Sequence, residues 1–150
     1  MALRQIRLLG DDILRKKSRD VEVVDDKIRQ ILNDMVDTLH NTDNGAAIAA
    51  PQIGILKKLV VIDMGEGVIK LINPKIVKKE GIQEVVEGCL SIPNKFGKLK
   101  RPAKVTVEAL DENGKKITLT GTGDLAKCFC HEIDHLYGIL FTDFVTEYLN

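Results

Sequence analysis

The sequence predicts an α+β fold: mostly antiparallel β-sheets packed around a central helix, with an amphipathic helix on the N-terminal side. Three observations carry this reading. Apolar residues recur at spacings of three and four from Ile28 to Leu39. Short β-branched runs separated by Gly, Asn or Pro crowd residues 58–120. His131-Glu132-Ile133-Asp134-His135 then occupies a second helical stretch near the C-terminus. Strands grouped between two helices, without regular alternation, argue for α+β.

Residues 1–24 mix charge with short apolar runs, Ile6 to Leu9 and Ile13-Leu14, around a turn at Gly10-Asp11-Asp12. This segment is expected to pack along the outside, with little functional content. The first helix follows, with Asp25 or Asp26 as its cap and the stripe Ile28, Ile31, Leu32, Met35 and Leu39 turned to the core. The polar stretch Asn41–Gly45 ends it, and His40 sits where a helix C-terminus favours a cation. Gly45 to Gln52 is small and apolar, suited to a close backbone approach or to the wall of a site. Strands are expected at 58–63, 69–72 and 76–79, and at 82–86 leading into Glu87-Gly88-Cys89, so that Cys89 lies at a strand end. Ile92-Pro93-Asn94 reads as a break, and the basic run Lys95–Arg101 as a solvated face or loop. Lys104–Leu110 and Lys116–Thr120 flank Asn113-Gly114, a strong hairpin signal. Thr122 or Asp124 can cap the second helix, and Gly138 stands where it stops.

The 150 residues read as one domain, 1–150. Lysine plus arginine equals aspartate plus glutamate at 22 each, so no net field draws the chain to nucleic acid or to a membrane surface. Three cysteines, an odd number, and no cleavable apolar leader at Met1-Ala2-Leu3-Arg4 point to a reducing compartment, the cytoplasm. No apolar run is long enough to span a membrane.

The chemistry concentrates in the second helix. Residues four apart stand one above the other on a helix, about 5–6 Å between Cβ atoms. His131 and His135 can therefore converge on one metal ion, with Glu132 placed as a general base. A catalytic site of this kind needs a third protein ligand and an open position. Downstream, the place where one protease class carries a third histidine is Phe141, leaving Asp143 and Glu147 as acidic candidates. Upstream stands Cys89, the better candidate, in Glu87-Gly88-Cys89-Leu90-Ser91.

Three segments taken together resemble the peptide deformylases: Gly45-Ala46-Ala47-Ile48-Ala49-Ala50-Pro51-Gln52, then Glu87 to Ser91, then His131 to Leu136. They occur in that family's order, and the likeness runs along almost the whole chain. The resemblance implies hydrolysis of the formyl group of N-formylmethionyl peptides of newly made proteins, releasing formate. It implies one divalent metal ion on Cys89, His131 and His135, characteristically Fe(2+), with Zn(2+), Ni(2+) or Co(2+) as substitutes. Glu132 would be the general base, and the Gln52 side-chain amide and the Leu90 N–H the donors to the oxyanion. Gly45, Ala46, Ala47, Glu87 and Cys128 would border the substrate, Cys128 because helical spacing sets it on the histidine face. Glu87 would also pair with Arg101 and brace the cysteine loop. The partners implied are N-formylmethionyl nascent peptides, with the ribosome as a further candidate. Two departures stand out, Ala47 for the usual glycine and Cys130 for the usual glutamine. They motivate a rival reading as a peptide- or metal-binding module with little turnover. A second rival is a small metallopeptidase with Asp143 or Glu147 as third ligand.

Overall fold

The Asp25 carboxylate accepts from the Ile28 N–H at 3.1 Å and so starts helix α1, Asp26–His40. The computed structural model describes residues 3–43 and 45–150. Met1 and Ala2, where the leader was sought, and Asn44, in the polar stretch after α1, lie outside the described residues. Among the described residues eight strands follow in order as β1 (Ala47–Ala49), β2 (Leu59–Asp63), β3 (Val68–Glu80), β4 (Gln83–Cys89), β5 (Ile92–Arg101), β6 (Lys104–Leu110), β7 (Lys116–Thr122) and β8 (Glu147–Tyr148). Helix α2, Gly123–His135, carries the two histidines.

One antiparallel sheet has the order β1-β2-β3-β6-β7, and the other β4-β5-β8. Side chains alternate faces along a strand, and β2 shows what this does. Leu59 and Val61 pack with Ile28, Leu32, Met35 and Leu39 of α1, whereas Val60 and Ile62 pack with Phe129, Ile133 and Leu136 at α2. The five-stranded sheet thus lies between the helices. A third cluster unites Val85, Ile92 and Leu99 of the smaller sheet with Leu14, Leu140 and Phe141.

Three expectations are corrected. The Asn73-Pro74 pair does not divide two strands; β3 runs through it, with Asn73 at φ 52° and a register shift between Ile72 and Lys75. The bulge is held from outside the sheet, because the Asn73 side chain bonds to both the N–H and the C=O of Val21, at 2.8 Å each. Residues 92–101 form β5 instead of a break, and the basic run is a strand with a solvated face, not a loop: Lys95 and Lys100 are exposed while Leu99 and Arg101 turn inward. The third is corrected only in part, for the N-terminal segment does lie along the outside, with residues 3–10 mostly exposed. It donates backbone bonds to the neighbourhoods of all three motifs: Arg7 N–H to Gln52 C=O at 2.7 Å, Leu9 N–H to Ser91 C=O at 2.8 Å, and Ser18 N–H to Leu136 C=O at 2.8 Å. Thr122 stands at the N-cap of α2 without a side-chain capping bond. Gly138, at φ 74°, closes the turn after α2 against the Arg15 backbone, where a Cβ would collide with the Arg15 carbonyl.

Candidate metal centre

The Cys89 thiol, at the end of β4, meets the two imidazoles of α2. Cys89 Sγ lies 3.3 Å from His135 Nε2, which lies 3.2 Å from His131 Nε2, and the three donor atoms fall within 4.8 Å of one another. Metal–nitrogen bonds of about 2.0–2.1 Å and metal–sulfur bonds of about 2.3 Å, opened to a tetrahedral angle, require ligand–ligand separations of roughly 3.3–3.6 Å. The observed spacings fit a divalent ion at the centre. The downstream acids are elsewhere: Asp143 is paired with Arg15 at 2.8 Å, and Glu147 lies on exposed β8 with Lys98 at 3.4 Å. The ring of Phe141 stacks on His131 with centroids 5.9 Å apart, so it walls the site where a third histidine was sought.

Behind the ligands lies a buried ion network. Glu87 accepts from His131 Nδ1 at 2.6 Å and from Arg101 Nη2 at 2.9 Å, and its other oxygen accepts from Arg101 Nε at 2.6 Å. Arg101 also donates to Asp134 at 2.8 Å. Burial alone would raise the Glu87 carboxyl, but the bonds from Arg101 and His131 hold it down at about 2. With Nδ1–H donated to Glu87, the lone pair of His131 is left on Nε2, facing Cys89 and His135. Glu87 pairs with Arg101 as expected, and although both carboxylate oxygens are committed inward and the residue is 3 % exposed, it also lines the cleft in front of the ligands.

Glu132 is also buried, and its Oε1 has no partner among the described residues. Burial, opposed by His131 and aided by Glu87, lifts its carboxyl to about 7. Burial resists a proton on His131, yet Glu132, Cys89 and Glu87 raise its affinity, whereas burial and the neighbouring His131 depress His135. Gln52 is held by both ends: Oε1 accepts from Ala49 N–H at 2.9 Å, and Nε2 points to Ser91 Oγ at 3.2 Å and Cys89 Sγ at 3.5 Å. Leu90 N–H, in the turn next to Cys89, is engaged by no backbone carbonyl among the described residues.

A cleft of about 600 Å³ opens onto these groups. Gly45, Ala46 and Ala47 border it on one side and Gly88, Cys89 and Leu90 on the other, with Cys128, His131 and Glu132 between. Both walls are sheet edges, since among the described residues β1 and β4 are each paired on one side only. The Ala47 methyl belongs to the core cluster that contains Cys128, and the residue is 8 % exposed. Burial pushes the Cys128 thiol up to about 12. Cys130, 4 % exposed, points into the core, and burial raises its thiol as well. No local pattern assigns Ser91 a role. It stands inside a quoted motif, but its contact with Gln52 joins distant parts of the chain.

A profile of the polypeptide deformylase family matches residues 3–149. A relative named peptide deformylase 2, from Clostridium acetobutylicum, is 83% identical over 149 residues, 99% of each chain. A peptide deformylase from Acetivibrio thermocellus is 55% identical over 150 residues, covering 100% of this chain and 88% of its own. Among solved structures, the peptide deformylase from Thermotoga maritima superposes with a TM-score of 0.94 at 32% identity, over 97% of this chain and 99% of that one. That from Synechococcus elongatus, in complex with actinonin, gives 0.93 at 42% identity, over 96% and 79%.

Proposed function

The chain belongs to the polypeptide deformylase family, and from that premise we propose that Cys89, His131 and His135 hold the divalent ion on which removal of the N-terminal formyl group from nascent peptides depends. The convergence of one sulfur and two nitrogens within 4.8 Å of one another is the observation that carries this reading. A divalent ion held there lowers the pKa of water toward about 7 and polarises a carbonyl.

The remaining work falls to side chains. Glu132, with its unpartnered oxygen, takes a proton from the attacking water and delivers it to the departing amine, worth about 10²–10⁴ in rate. The formyl C–N bond breaks, the water oxygen stays on carbon, and formate and a free amino terminus leave. Gln52 Nε2 and Leu90 N–H donate to the oxyanion that forms on the formyl oxygen. Glu87 fixes the ring of His131, and Arg101 keeps Glu87 ionised. The peptide lies in the cleft along the free edge of β1, its backbone paired as an added strand. Its methionine side chain reaches apolar surface that includes Cys128. A formyl carbon carries only hydrogen, so a cramped centre admits it and rejects larger acyl groups.

One thiolate and two imidazoles suit iron, zinc, cobalt and nickel alike, and ferrous iron is favoured by resemblance. Residues 1–150 act as one domain, working in the cytoplasm on chains that emerge from the ribosome. Among the described residues no helix is long and apolar enough to cross a membrane.

Formate release from formyl-Met-Ala-Ser, measured without oxygen on protein loaded with ferrous iron, tests the assignment. Saturable turnover that disappears on chelation is expected. Release within a few-fold of the uncatalysed background ends the enzymatic reading.

A further inference from the structure

Gln52 and Leu90, the two oxyanion donors, come from different sheets. Gln52 follows β1 of the five-stranded sheet, and Leu90 follows β4 of the three-stranded one. Donors to a developing charge work only at a fixed separation, and β1 and β4 share no ladder that would set it. A closed circuit of hydrogen bonds joins them directly. Arg7 N–H donates to Gln52 C=O at 2.7 Å, Gln52 Nε2 donates to Ser91 Oγ at 3.2 Å, and Leu9 N–H donates to Ser91 C=O at 2.8 Å. The chain from Arg7 to Leu9 closes the loop. Ser91 and Gln52 are 0 % and 1 % exposed, so water does not compete for these bonds. The Arg7 guanidinium adds a contact by covering Gly54, which ends the turn carrying Gln52; a Cβ on Gly54 would come within 2.7 Å of Arg7 Nη2.

We infer that Ser91, with the backbone amides of Arg7 and Leu9, forms a clamp that fixes the two oxyanion donors relative to each other. Ser91 is a positioning residue: its hydroxyl orients the Gln52 amide, and its carbonyl ties the Leu90 turn to the N-terminal segment. This rests on the deformylase reading of the site.

The test uses the full chain loaded anaerobically with ferrous iron, compared as wild type, Ser91→Ala, Gln52→Ala and the double variant on formyl-Met-Ala-Ser. Deleting an oxyanion donor costs about 10²–10³ in rate, so loosening one should lower kcat about tenfold. KM should stay within about twofold of wild type, with metal content unchanged. If Ser91 acts through Gln52, Ser91→Ala adds no further loss in the Gln52→Ala background, the mark of a coupled pair. Leu8→Ala, altering an exposed side chain of the same segment, serves as control and should match wild type. A second readout needs no turnover: the amide protons of Arg7 and Leu9 should exchange slowly in the wild type and about tenfold faster in Ser91→Ala. An unchanged kcat in Ser91→Ala overturns the clamp, as does an equal loss with and without Gln52. So do Arg7 and Leu9 amides that exchange freely in the wild type or at the same rate in the variant. A wild type that releases no formate ends the deformylase reading instead, and the amide exchange then judges the clamp alone.

Discussion

Glu132 carries a buried carboxylate whose Oε1 has no partner among the described residues, a costly arrangement unless the oxygen has chemistry to do. Glu132→Gln keeps the shape and removes the basicity. It should retain metal, read by elemental analysis, and lose about 10²–10⁴ of kcat; unchanged turnover would remove Glu132 as the base. Cys89→Ala should lose bound metal and turnover together, whereas Asp143→Asn and Glu147→Ala should keep both, since those carboxylates lie at Arg15 and Lys98. His131, Glu132 and His135 were legible from their spacing on one helix, whereas Gln52 came by resemblance and Cys89 was a candidate that its motif's resemblance decided. Ser91 was not legible, since its bond to Gln52 spans 39 positions. The inward commitment of Glu87 was only half legible: the partner Arg101 came by resemblance, but the bond to His131 Nδ1 needed the fold.

Helices and hairpins were read well where local chemistry decides them. The α1 stripe, its Asp25 cap and the Asn113-Gly114 hairpin stand as expected, with Leu110 paired to Lys116. Local chemistry misled where a distant segment intervenes, as at Asn73-Pro74, whose bulge is stapled to Val21. The N-terminal segment docks on α1 through Arg4, which bonds to Asp34 at 2.8 Å and 3.0 Å. Burial works to raise the Asp34 carboxyl, but the Arg4 and Gln30 bonds prevail and hold it below its usual 3.8. A depressed carboxyl stabilises above its unfolded pKa and loses that contribution as pH falls through the folded one. Asp34→Asn should therefore cost on the order of 1 kcal/mol at neutral pH, the difference closing as urea unfolding is repeated from pH 5 to pH 3. A gap that does not narrow would mean the Asp34 charge is not what holds the segment. Gly138→Ala acts at the junction of this segment with α2. With φ at 74° and the Arg15 carbonyl in the way, it should cost about 2 kcal/mol or more in the same assay; a neutral result would show that the turn can open.

The molecule gathers its ligands from a helix and a sheet, with α2 supplying two of them and the end of β4 the third. Metal binding should therefore bind β4 to α2 and add to stability by mass action. Chelation should lower Tm by several degrees in the wild type and leave Cys89→Ala unmoved, as calorimetry can read. The α+β class was legible because strands cluster between two helices. The meeting of β1 and β4 across one cleft was not, since neither edge announces its neighbour in sequence. Everything functional turns on one sulfur and two ring nitrogens sharing an ion. X-ray absorption of the metal-loaded protein addresses this most directly. The expected spectrum has one sulfur at about 2.3 Å and two imidazole nitrogens at about 2.0–2.1 Å in the inner shell. An inner shell of nitrogen and oxygen alone, with no sulfur, would contradict it.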